Sequence, residues 1–159
     1  MKLIAVYPGT FDPITNGHLD IANRASLMFT RLIVGIAASE KKNPLFPLEK
    51  RVAMAEEVLA HLPNVEVKPF RGLLVNNMQQ WDSTVIVRGL RAISDFEYEV
   101  QLAEVNKQLD ARLETIFIAA SNKYTFLSSS IVRDIAGNAG DVSDFVQPCV
   151  SNAFAERFS

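Results

Sequence analysis

The sequence is poor in the residues that announce the commoner chemistries. It has one cysteine, Cys149, so no internal disulfide can form, and its late position among apolar residues reads as a small core side chain rather than a nucleophile. With 2 histidines and no Cys/His cluster at metal-ligand spacing, a zinc enzyme is disfavoured. Neither a Gly-x-x-x-x-Gly-Lys-Ser/Thr loop nor a Gly-x-Gly-x-x-Gly turn occurs, which argues against a P-loop kinase and a dinucleotide fingerprint. Charge of one sign is also lacking. Lys and Arg total 16 against 18 Asp and Glu, so nothing drives the chain toward nucleic acid or an anionic membrane, and any anion site must be local. Apolar runs are short: Leu3 to Tyr7 is too brief for a signal-peptide core, and Leu32 to Ala38 cannot span a bilayer. The expectation is a soluble cytoplasmic protein forming one domain over residues 1–159, with 48% hydrophobic residues to build its core.

What is present is an alternation of β-rich runs and amphipathic stretches. Strands are predicted over Leu3–Tyr7, Leu32–Ala37, Val65–Phe70, Val85–Val87 and Thr115–Ala119. Helices are predicted over Gly17–Phe29, Leu48–Leu62, Leu73–Gln80 and Asp95–Leu109, with Pro47 at a helix start, where proline is tolerated. Continuous rather than alternating apolar character implies strands covered on both faces. The fold class is therefore α/β, a doubly wound Rossmann-like parallel sheet of five strands. After Ser128 only short helical pieces are expected, Ser129–Ala136, Asp141–Val146 and Cys149–Phe158, as a tail that packs on the sheet or serves an oligomer contact. Trp81 and most phenylalanines read as core, and the stripe Phe96, Val100, Ala103 and Leu109 as packing rather than ligand contact.

In open α/β sheets ligands sit beyond the carboxyl ends of the strands, so the segments that follow each strand carry the functional information. After the first comes Tyr7-Pro8-Gly9-Thr10-Phe11-Asp12-Pro13-Ile14-Thr15-Asn16-Gly17-His18, which sets an imidazole beside a helix N-terminus and a hydroxyl, Thr10, in the same turn. Such a terminus suits phosphate, although a tight turn with a polar first-turn residue is the plainer reading. After the second, Lys41 and Lys42 either meet an incoming phosphate or are merely solvated. The fourth ends in Arg88-Gly89-Leu90-Arg91, whose guanidinium groups either fork onto an anion or bridge to Asp95, Glu97 or Glu99. After the fifth, Ser128, Ser129 and Ser130 open a helix that needs only one of them as a cap, leaving hydroxyls for polyphosphate or mere redundancy. All of these fall on one sheet edge, which favours a shared phosphate site.

Thr15-Asn16-Gly17-His18 resembles the T/HxGH motif of the nucleotidyltransferase superfamily. Arg88-Gly-Leu-Arg-Ala-Ile-Ser-Asp-Phe-Glu-Tyr-Glu99 and Phe126-Leu-Ser-Ser-Ser-Ile-Val-Arg133, at these separations, closely resemble the bacterial phosphopantetheine adenylyltransferases, and the likeness extends over essentially the whole chain. The resemblance implies transfer of the adenylyl group of ATP to 4'-phosphopantetheine, giving dephospho-coenzyme A and pyrophosphate. It implies ATP against Gly9, Thr10, Phe11, His18, Gly89, Leu90, Arg91, Glu99 and the segment Tyr124, Thr125, Phe126, Leu127, Ser128, Ser129 and Ser130. The acceptor would meet Thr10, Lys42, Leu74 and Arg88, with dephospho-coenzyme A and coenzyme A as product-like ligands. His18, Thr10, Lys42 and Arg91 would carry the chemistry. Magnesium and a homohexamer are implied in the same way. The sequence departs from some relatives at Gly72, where they carry an acidic side chain, and at Leu127, where isoleucine is more usual. Alternatives are another transferase of the superfamily, acting on nicotinamide mononucleotide or an alcohol phosphate, and a noncatalytic adenine-nucleotide sensor.

Overall fold

The β-rich runs become β1 (Ile4–Gly9), β2 (Arg31–Ala37), β3 (Val65–Phe70), β4 (Val85–Leu90) and β5 (Glu114–Ala119). The computed structural model that carries them describes residues 3–91 and 93–159, so Ala92, inside the second motif, lies outside the described residues. The strands are all parallel in the order β3-β2-β1-β4-β5. Parallel neighbours need crossovers, supplied here by α1 (Asn16–Ser26), α2 (Leu48–Leu59), α3 (Leu74–Gln80) and α4 (Ile93–Leu109). The chain builds outward from β1 to β3, then returns to add β4 and β5 on the other side, which is the doubly wound Rossmann-like arrangement expected. Two further helices follow, α5 (Ser129–Gly137) and α6 (Pro148–Phe158).

Side chains alternate between faces along each strand, and both faces are apolar. Ala5, Tyr7, Leu32, Val34, Ile36 and Val87 join Ile21, Met54, Val132, Val150 and Phe154 in one cluster. Val6, Ile33 and Ile86 pack with Val75, Met78 and Leu113 in the other. The C-terminal helices belong to the first: Val132 and Val150 are 0% exposed and Phe154 3%, each worth ~1.5–3 kcal/mol in burial. The tail therefore packs on the sheet. No helix among the described residues is long and apolar enough to cross a membrane.

One irregularity creates the site. β1 and β4 pair only through Ala5–Val85 and Val6–Ile86, although β1 runs on to Gly9 and β4 to Leu90. Pro8, which has no N–H for a ladder bond, stands where the pairing has stopped. Across the gap the Nη1 of Arg88 donates to the Pro8 carbonyl at 2.7 Å. The split opens where the strand order reverses, the usual place for a ligand in an open α/β sheet.

Several expectations need correction. Pro8, Gly9, Arg88, Gly89 and Leu90 are strand residues, and α1 ends at Ser26 rather than Phe29. Asp141 to Val146 is not a helix, because its polar groups bond elsewhere: the Asp141 carboxylate accepts the Ser143 amide at 2.9 Å and the Phe145 carbonyl accepts the Asn16 amide at 2.8 Å. The α4 stripe does not pack within the chain along its length, since Phe96 and Leu109 are 53% and 55% exposed, and Ala103 lines a cavity.

Candidate active site

The split between β1 and β4 opens into a cavity of about 910 Å³. Its walls bring together Gly9, Thr10, Phe11, His18, Lys42, Leu74, Arg88, Gly89, Arg91, Glu99, Tyr124, Leu127, Ser128, Ser129 and Ser130. Leu90, Thr125 and Phe126, also singled out in the sequence, do not line it, and Phe126 is 84% exposed. Gly9 lies under the ring of Phe11, where an added Cβ would come within 2.9 Å of Cε2. Phe11 itself holds a positive φ of 47°, a strained value for a bulky side chain.

His18 is positioned by helix capping. Thr15 is the N-cap of α1, its hydroxyl accepts the His18 amide, and the His18 side chain in turn accepts the Thr15 amide. This is a capping box in which histidine occupies the position normally held by Glu or Gln. The Thr15 N–H donates to His18 Nδ1 at 2.9 Å, so Nδ1 is an acceptor and the proton of the neutral ring belongs on Nε2. Protonating Nδ1 would face two N–H groups toward each other. Burial, reinforced by the Arg91 and Arg88 charges, pushes the imidazole down to about 3 from 6.5. The ring keeps some surface toward the cavity while protein surrounds it. It is a neutral hydrogen-bond donor, unsuited to proton transfer at neutral pH.

The cations differ in how they are held. Arg88 makes a bidentate pair with Glu99, both bonds 2.6 Å, with the carboxylate 8% exposed. Burial opposes the Arg88 charge, and Glu99 more than offsets it. Arg91 pairs with Asp95 at 2.8 Å and donates to the Leu127 carbonyl at 3.0 Å, and it remains 40% exposed. Thus the expected bridges of Arg88 and Arg91 to α4 form, and both arginines still line the cavity. Lys42 has no ion pair among the described residues and lies in a short 3-10 turn, Glu40–Lys42, flanked by Ser39 and Asn43 at positive φ. The serine hydroxyls are not surplus: Ser128 caps Ile131, Ser129 donates to the Pro13 carbonyl and Ser130 accepts from Arg133. What the N-terminus of α5 offers is its leading amides, which no helical carbonyl can reach.

A family model described as cytidylyltransferase-like matches residues 6–135, from β1 into α5, taking in every segment discussed above. The chain belongs to the cytidylyltransferase-like family. Its activity is nucleotidyl transfer. Among solved structures it resembles a candidate nicotinate-nucleotide adenylyltransferase from Vibrio parahaemolyticus, 18% identical, with a TM-score of 0.73 over 98% of this chain and 93% of that one. It also resembles the Plasmodium falciparum nicotinic acid mononucleotide adenylyltransferase complexed with APC, 16% identical, with a TM-score of 0.74 over 98% of this chain and 96% of that one. At these identities the likeness is one of fold.

Three residues of this nucleotidyltransferase escaped the sequence reading. Tyr7 lines the cavity, packs edge-on against Phe11 at 5.2 Å, and has its hydroxyl held well above the usual phenol range by burial, so it stays a neutral O–H. Asp12, 5% exposed, accepts the Leu45 and Phe46 amides at 2.8 and 3.0 Å. Arg51, 1% exposed, bonds only backbone carbonyls. A signal existed for Arg51: it shares a helical face with Ala55 and Val58, so it is a charge written into an apolar stripe. Gly72 holds φ 72° with open space around it, so an acidic side chain at that backbone position would be strained.

Proposed function

We propose that the chain transfers the adenylyl group of ATP to 4'-phosphopantetheine, releasing pyrophosphate and dephospho-coenzyme A. The observation that carries the reading is the neutral Nε2–H of His18, fixed by the capping box, in a cavity walled by Lys42, Arg88, Arg91 and the N-terminus of α5. Such a donor matches negative charge that grows on a phosphoryl oxygen, and it requires no proton to move.

The acceptor phosphate attacks the α-phosphorus of ATP in line; a new P–O bond forms while the bond to the bridging oxygen breaks, and pyrophosphate leaves with the electron pair. The nucleophile is already ionised, so the protein acts by positioning and charge stabilisation. Thr10 and Lys42 orient the attacking phosphate, with Arg88 beside it. His18 donates to a non-bridging oxygen of the α-phosphate, and Arg91 with the α5 amides holds the leaving group. Asp12, Asp95 and Glu99 are each engaged with amides or arginine, and no cluster of three metal-ligating side chains occurs among the described residues. Magnesium would enter with ATP, as part of the substrate, and would supply neutralisation of phosphate charge.

The acceptor assignment is supported by the Arg88–Glu99 and Phe126–Arg133 motifs, and by an apolar stretch of wall at Phe70, Leu74 and Leu102 that suits an extended pantetheine arm. The names of the two structural neighbours favour a second reading, nicotinate mononucleotide as acceptor. Pyrophosphate release with magnesium and ATP, run separately with 4'-phosphopantetheine, nicotinate mononucleotide and glycerol phosphate and followed by mass detection, separates them. Dephospho-coenzyme A from the first alone is the expected result. Product from nicotinate mononucleotide alone replaces the proposed acceptor, and ATP binding without release from any acceptor removes the transferase reading.

A further inference from the structure

Arg51 is among the largest side chains withdrawn from solvent, and its guanidinium meets no carboxylate in an ion pair among the described residues. Its charge is answered by carbonyl dipoles instead. Nε donates to the Phe46 carbonyl at 2.9 Å, Nη1 to those of Thr10 at 2.8 Å and Ala37 at 2.7 Å, and Nη2 to that of Ala38 at 2.8 Å. These carbonyls belong to three stretches of chain: the turn after β1, the end of β2 and the residues leading into α2. Asp12 closes the circuit from the other side by accepting the Leu45 and Phe46 amides. Between the anchored points Ala38 and Leu45 the chain carries Ser39 and Lys42, and Ser39 Oγ lies 3.0 Å from Thr10 Oγ1.

A buried charge is a poor stabiliser, since apolar side chains of similar volume commonly do as well or better. Its presence on the apolar face of α2 points to a need for geometry that packing alone does not meet. A planar fork reaches four carbonyls from three separate nitrogens in fixed relation, whereas a lysine has three donors on one nitrogen.

We infer that Arg51 is the positioning residue for the acceptor side of the cavity, fixing Thr10 and the Ser39–Asn43 excursion relative to each other and so setting where the attacking phosphate meets His18. This rests on the transferase reading above. The α5 and Arg91 side is built without it.

The test compares wild type with Arg51→Lys, which keeps the charge and stem but cannot reach all the carbonyls. In steady-state assays well below the melting temperature, kcat/KM for 4'-phosphopantetheine should fall roughly 10²-fold, the loss that follows misplacement by about 1 Å. Binding of ATP alone, by calorimetry, should change by less than about threefold, because phosphate binding by helix-terminal amides and Arg91 is untouched. A variant with a lowered melting temperature but unchanged kinetics makes Arg51 a fold residue only and overturns the inference. Equal losses for ATP and acceptor overturn it too, as general loosening. If Arg51→Lys does not fold, Asp12→Asn, which can accept only one of the two amides well, reads the same circuit. If wild type turns over no acceptor, the transferase reading falls separately, and amide hydrogen exchange decides. Faster exchange in the variant confined to residues 10–12 and 37–46 supports the positioning role, and unchanged or uniformly faster exchange ends it.

Discussion

The two flanks of the cavity handle charge in opposite ways. Around β1 and β2, Arg51 is spent on backbone carbonyls and Asp12 on two backbone amides with Arg133 at 3.7 Å, so nothing a ligand brings can displace them cheaply. Around β4 and α4, Arg88 and Arg91 are held by the carboxylates Glu99 and Asp95, which phosphate oxygens can replace in kind. The first flank is a frame and the second is an exchangeable reserve of positive charge. A cavity needs both when one anion must be aimed and another held and released. His18 belongs to the frame by its capping bonds and to the chemistry by its free edge.

The sharpest way to separate these roles is His18→Ala. Alanine removes the Nε2–H donor together with the acceptor of the Thr15 amide, and the lost cap should cost only about 1 kcal/mol of stability. We expect kcat to drop about 10²- to 10³-fold, the usual cost of removing one donor to a developing oxyanion, with ATP affinity nearly unchanged. Comparable losses in both would make His18 a binding residue.

On the exchangeable flank, Glu99→Ala strips Arg88 of its partner and should lower stability by about 3 kcal/mol, the lower end for a broken buried pair, because Arg88 keeps 26% of its side-chain surface. Inorganic phosphate should then raise the melting temperature of the variant more than that of wild type. If it does not, Arg88 is not available to phosphate.

A third test uses pH. His18 is held at about 3 in the fold against 6.5 when free, so between these values the unfolded chain binds the extra proton. Stability is full above pH 6.5 and is lost as pH falls toward 3, with wild type losing up to ~1.4 kcal/mol per pH unit more than His18→Ala. Denaturant melts of both proteins at pH 7, 6 and 5 measure the difference, and parallel curves would mean that the imidazole takes up its proton in the fold as readily as in the unfolded chain. The smallest effect is expected from Asp95→Asn. Freeing Arg91 from a surface pair worth less than about 1 kcal/mol should tighten ATP binding by at most about fivefold, as read by calorimetry.

Much of this was legible in the sequence, for identifiable reasons. The apolar runs and their turn residues specify the parallel sheet, and the segments that follow β1, β2, β4 and β5 converge because the doubly wound order leaves no other place for strand ends. Strand ends were misread at Pro8 and Arg88, since a proline and an arginine look like loop residues while the ladder between β1 and β4 is the part that stops. The serines were read as surplus hydroxyls, but Ser129 and Ser130 find partners at Pro13 and Arg133, far away in sequence or a turn along the helix. Arg51 shows the same limit: its position on an apolar face was visible, but the carbonyls that justify it come together only in three dimensions.

The capping box at Thr15 and His18 also constrains how this chain can change length. The two residues sit one helical turn apart, and each holds the other in place. A single residue inserted between them would rotate the imidazole by about 100° around the axis of α1, carrying it off the cavity and breaking the cap together. A substitution at Asn16 would cost its side-chain bonds to the Asp144 carbonyl and to Gln147, while a one-residue insertion or deletion there would be lethal to turnover. The interval between the threonine and the histidine is thus set by the pitch of a helix, before any demand of the reaction is considered.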